Sequence, residues 1–282
     1  MISRAGTREG NSMSAYGRHI AVLSPHLDDA ALSLGGAIAT ATTAGAEVTI
    51  VTVFANDPDS SGPAGVWDSA CGFHSAAAAA RVRREEDRRA CALLGATPIW
   101  LPLNDVEYPQ EKNDDEVWDR VADATSGMDV MFIPGFPLVA PDHARLAHLL
   151  IDRPIPNCRL ALYVEQPYAT WRLIGRGGRT GAKGLTPRKG LENAFKILFR
   201  SEGGRRLQDP SEVTPGVASF QEKLDWLALP IPMRDWWTKQ KAIRAYSSQW
   251  RGLGPLLLSR IAVYEAGWGG EGIAWPRSSE AQ

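Results

Sequence analysis

An α/β fold, with a mostly parallel sheet and helices on both faces, is the architecture this 282-residue sequence predicts. Three observations lead there. Apolar, β-branched runs alternate with longer helical stretches from residue 19 to residue 166. Hydrophobic residues make up 44% of the chain, enough to cover both faces of a sheet. The length suits one large domain carrying an added lobe. Three parts follow: a disordered tail over 1–18, a core over 19–166, and a helical, loop-rich C-terminal extension over 167–282 packed on the same domain.

The tail holds Arg4, Arg8, Glu9 and small polar residues without an apolar segment, so it is not a secretory signal, and Met13 is an alternative start. Residues 19–23 read as a buried first strand, and the small-residue stretch 30–39 as the helix that follows. A second strand spans 47–55, and a loop of Asp, Ser, Pro and Gly occupies 56–65. Residues 75–94 form a long helix stopped by Gly95. Further strands are expected over 98–103, 129–134 and 159–164, with helices over 114–126 and 141–151. Beyond Pro167, a helix is expected over 235–248 and an apolar segment over 253–266.

Between Arg172 and Arg206 there are ten basic residues against two acidic ones, read either as a solvated surface loop or as a lid attracting an anionic substrate. Seven of the ten tryptophans lie after residue 170; most are expected in the core. Net charge is −1, no basic stretch interleaves with aromatics, and no apolar run is long enough for a bilayer, so neither nucleic acid nor membrane insertion is expected. Cys71, Cys91 and Cys158 lack metal or disulfide spacing, which predicts a reducing cytoplasm.

The chemistry concentrates in Ser24-Pro25-His26-Leu27-Asp28-Asp29, between the first strand and its helix. The carboxyl edge of an open α/β sheet is where ligands bind. His26 and Asp29, three positions apart, can converge on one point while Asp28 points elsewhere. A third ligand is needed, and His143, after the fourth strand, is the best candidate. Two imidazoles and a carboxylate suit one zinc ion per chain, or another divalent metal, with a position left for water. Asp28 would then serve as general base and afterwards general acid in amide hydrolysis. Taken singly, either aspartate could merely cap a helix. Asp142 either orients a ligand or caps the helix that starts there.

These residues resemble motifs of the PIG-L/LmbE family of zinc-dependent N-deacetylases. Residues 24–30 are similar to its P-H-P-D-D-E motif, Ala140-Pro141-Asp142-His143 to its H-x-D-H motif, and Arg83 to Glu86 with Ala90 and Leu94-Gly95 to its R-x-x-E helix. Residues 241–249, ending Ser248-Gln249, are similar to a C-terminal Ser-Gln segment. The resemblance implies a Rossmann-like fold and removal of acetyl groups from N-acetylglucosamine-type sugars on larger conjugates, including aminosugar-bearing antibiotics. It makes His26, Asp29 and His143 the ligands and Asp28 the base, and points to Arg83 and Tyr246 as substrate contacts. Leu27 and Ala30 depart from the first motif. Ala140 stands where the family has a histidine that helps stabilise the oxyanion, a loss worth about a hundredfold or more in rate. Tyr246, His74 and His148 are the available substitutes. Ala140 therefore keeps a second reading open, a relative that binds metal and sugar conjugate without turnover. A third reading, a magnesium-dependent phosphate-handling domain with Asp105 as phosphoacceptor, leaves both histidines without a task.

Overall fold

A computed structural model describes residues 12–57, 59, 61–109, 113–174, 223–254 and 256–277. The predicted class is what it shows. Seven strands, β1 (His19–Ser24), β2 (Glu47–Thr52), β3 (Thr97–Trp100), β4 (Val130–Pro134), β5 (Arg159–Tyr163), β6 (Leu224–Leu229) and β7 (Glu271–Pro276), form one sheet in the order β3-β2-β1-β4-β5-β7-β6. The first five are parallel; β7 runs antiparallel to both β5 and β6.

Alternation along β1 sorts the core into two layers. Ile20 and Val22 face α1 (Asp29–Thr43), α3 (Ala76–Leu94) and α7 (Met233–Ala245). Ala21 and Leu23 face α4 (Asp114–Ala124) and α5 (Pro141–Asp152). The other α-helices among the described residues are α2 (Val66–Cys71), α6 (Tyr168–Ile174), α8 (Trp250–Leu253) and α9 (Leu257–Trp268). Local chemistry sets the helix ends. Ser75 caps α3 by accepting from the Ala78 amide, and Gly95, at φ 71°, closes it in a left-handed conformation costly for other residues.

Two expectations change. The tail does not extend to residue 18, because Met13, in a short 3-10 turn over Met13–Tyr16, is buried in the first of these layers. The C-terminal part adds two strands as well as helices. Their signal is weak: β7 contains both Gly272 and Pro276, and pairing with β5 is what makes it a strand. A Cβ on Gly272 would collide with the Val164 side chain. Gly272→Ala is therefore expected to destabilise the fold by about 1–3 kcal/mol, read from denaturant midpoints.

The site follows from the strand order. After β3 the chain returns to the far side of β1 to form β4, so the loops after β1 and β4 diverge and leave a crevice at the carboxyl edge. His26 lies after β1 and His143 after β4.

Candidate metal centre

Ser24 ends β1 and organises the turn. Its hydroxyl donates to the His26 carbonyl at 2.5 Å and accepts from the Ala30 amide at 3.0 Å, supplying the cap that α1 needs. Asp28 occupies the N-cap position, yet its side chain makes no capping bond. Its carboxylate is thereby released for other work. Asp29 Oδ2 accepts from the His26 amide at 2.8 Å, which folds the turn back on itself.

The tertiary structure brings His26, Asp29 and His143 together. His26 Nδ1 lies 3.1 Å from His143 Nε2 and 3.4 Å from Asp29 Oδ2, and His143 Nε2 lies 3.3 Å from Asp29 Oδ2. Metal–ligand bonds of about 2.0–2.2 Å at tetrahedral angles place neighbouring donors about 3.3–3.6 Å apart. The triangle has the dimensions of three corners of such a site. The donor set and its spacing both fit a divalent cation.

The far nitrogen of each imidazole meets a carboxylate. His26 Nε2 lies 3.2 Å from Asp142 Oδ2, and His143 Nδ1 lies 2.5 Å from Glu165 Oε1. Asp142 also accepts from the Val106 amide at 2.9 Å, and Ala140 holds the N-cap position of α5. Burial alone would lower both histidine pKa values. At His26 the bonds to Asp142 and Asp29 reverse this and raise it; at His143 the charges of Asp29 and Glu165 do the same. Positive charge is favoured at the centre, which is the condition a dication also meets. Burial pushes Glu165 up to about 7, against the pull of His143.

Asp28 is 7% exposed, and burial together with the Asp29 charge pushes its pKa up to about 6, with Arg83 and His26 pulling the other way. It lines a cavity of about 340 Å³ shared with His26, Asp29, Arg83, Asp105 and Asp142. Arg83 Nη1 is held by Asp68 at 3.1 Å, and the other oxygen of Asp68 accepts from the Tyr108 hydroxyl at 2.7 Å. Tyr246 is not brought to this cavity. It is buried, and its hydroxyl donates to Asp87 at 2.7 Å. Neither His74 nor His148 is among the residues that line the cavity. Asp105 reaches the wall but is tied to the Asn56 side chain and the Glu107 amide. The tryptophans divide: Trp171 lines the cavity, while Trp226, Trp268 and Trp275 pack against the core. The basic stretch 172–206, read as a surface loop or a lid, lies outside the described residues except for the backbone of 172–174.

Two features escaped the sequence reading. Glu165 follows β5 and lies on the same sheet edge; a lone acid closing a buried strand was the available signal. The R-x-x-E helix and the C-terminal Ser-Gln segment are partners in space. Glu86 of α3 accepts from the Ser247 hydroxyl and from the Ser248 amide and hydroxyl, and Gln249 accepts from the Trp67 indole at 2.6 Å. The C-terminal segment thereby fixes one cavity wall.

Comparison with known proteins matches residues 21–153 to the family model described as PIG-L, GlcNAc-PI de-N-acetylase. A search of curated proteins finds no match. Solved structures with this fold include the A40926 pseudoaglycone deacetylase, 21% identical over 92% of this chain and 96% of that one, with a TM-score of 0.65. They also include a triple mutant of a deacetylase from the teicoplanin pathway, 21% identical over 93% and 100%, with a TM-score of 0.66. A third is the zinc-inhibited form of teicoplanin deacetylase, 20% identical over 93% and 99%, with a TM-score of 0.66.

Proposed function

Because residues 21–153 match the PIG-L family model, we propose that this chain is a metal-dependent hydrolase removing an N-acetyl or related N-acyl group from an aminosugar-containing conjugate. The observation that carries the reading is the donor triangle, with edges of 3.1–3.4 Å, beside a free buried carboxylate. The fold shared with teicoplanin and A40926 deacetylases favours an aminosugar-bearing specialised metabolite as substrate. The catalytic core is residues 19–166, and residues 167–282 complete the cavity through Trp171 and Leu253.

His26 Nδ1, Asp29 Oδ2 and His143 Nε2 would hold one zinc or similar ion. Such an ion, when bound, lowers the pKa of a water to about 7 and polarises an amide carbonyl. Asp142 and Glu165 fix the orientation of the two imidazoles from behind. Asp28 accepts the proton of the water that attacks the carbonyl carbon and returns it to the departing nitrogen. The C–N bond breaks, leaving a carboxylate and an amine. Arg83 is a substrate contact on the wall beside Asp28.

The test is acetate release from N-acetylglucosamine conjugates by protein loaded with a series of divalent ions. Ala140 sustains the second reading, binding without turnover, because it provides no side-chain donor for an oxyanion. Bound metal with no hydrolysis of N-acetyl or longer N-acyl conjugates would establish that reading; release of acetate or a longer carboxylate would end it.

Two further outcomes are expected. Glu165→Gln weakens metal binding by about 10–100-fold, read by chelator competition; unchanged affinity would remove Glu165 from the metal's support. The ionised form of Asp28 is the active one, so kcat/KM rises about tenfold per pH unit on the acid limb and levels above about pH 6, lower where a bound dication stabilises the anion. A limb centred above pH 7 would point to another base.

A further inference from the structure

The cavity has two unlike walls. One is charged: Asp28 at the start of α1, Arg83 of α3 and Asp105 beyond β3 lie beside the donor triangle. The other is a separate apolar cluster in which Leu32, Leu253 and Leu257 are buried and Trp67 and Trp171 are partly buried. Leu32, Leu253, Trp67 and Trp171 all line the cavity. Leu32 sits on α1 one turn beyond Asp28 and Asp29, so the apolar surface begins beside the reacting centre. Trp67 is held in place by Gln249, and a Cβ on Gly252 would meet its ring at 2.5 Å, so this wall is built and rigid.

An amide divides at its carbonyl. The amine side of an aminosugar carries hydroxyls and becomes cationic on release, which matches the carboxylates of the charged wall. The acyl side is all that remains for the apolar wall, and a single acetyl methyl covers little of it. Resting on the hydrolase reading, we propose that the leucine–tryptophan wall is an acyl pocket and that the chain prefers an N-acyl group with an apolar chain longer than acetyl. Each methylene entering the pocket then contributes about threefold to fourfold in kcat/KM or affinity.

Two series test this with the full chain loaded with zinc. N-acetyl, N-butanoyl, N-hexanoyl and N-octanoyl glucosamine are compared for turnover, and the matching free carboxylates for binding, read by tryptophan fluorescence. Rising kcat/KM and rising carboxylate affinity with chain length are expected until the cavity fills. Leu253→Trp should flatten both series by filling the pocket, and Trp171→Phe is the milder variant should that one fold poorly. A flat or falling carboxylate series overturns the acyl pocket. Rising affinity without turnover of any amide leaves the pocket standing and ends the hydrolase reading alone. An aryl glycoside of N-acetylglucosamine forms the last arm. If it gains as much as the octanoyl amide while acyl length has no effect, the wall belongs to the aglycone and the proposal fails.

Discussion

Asp28→Asn is expected to lower kcat/KM by about 10²–10⁴-fold while the protein still binds one metal ion per chain. Asparagine keeps the shape of the side chain and removes its capacity to take a proton. Asp28 is outside the donor triangle and makes no capping bond, so its substitution leaves all three metal ligands and the start of α1 in place. Burial already opposes that charge, as the pKa pushed up to about 6 shows, so the neutral amide should not weaken the fold. Metal content by elemental analysis, thermal unfolding and turnover are measured on one preparation. Full activity in this variant would remove Asp28 from the mechanism; loss of metal together with activity would reassign it to the ligand set.

His143→Ala is expected to abolish both stoichiometric metal and detectable hydrolysis. The wild-type ring is fully buried and joins Asp29, His26 and Glu165, so its removal takes away one corner of the site and strands a carboxylate. A ligand that binds only the folded state raises its stability in proportion to the logarithm of ligand concentration over Kd. Added zinc should accordingly raise the melting temperature of wild type and leave that of the variant unchanged. An equal rise in both would place the metal elsewhere.

Much of this was legible before folding was considered, and the reason differs from part to part. The alternation of β-branched runs with helices specified the parallel sheet, since strand segments buried on both faces must be apolar, as residues 20–23 of β1 and all of β4 are. The Ser24–Asp29 turn was legible because its residues are neighbours in the chain. Tyr246 was misplaced because nothing local announces that its hydroxyl is taken by Asp87, far away in sequence. Glu165 was missed for the same reason: its value lies in a bond to His143, made across two adjacent strands.

The sequence by itself determined the elements, their order and the types of donor available at the carboxyl edge. Local propensity and pattern act over a few residues, and those facts are local. Tertiary structure alone decided that three donors from the β1–α1 turn and the start of α5 meet within bonding distance of one point, and that each imidazole is backed by an acid. It also decided that β7 joins the sheet and that leucines and tryptophans from four elements face the reacting centre. Such convergence depends on the reversal of strand order between β1 and β4, which no stretch of sequence encodes alone.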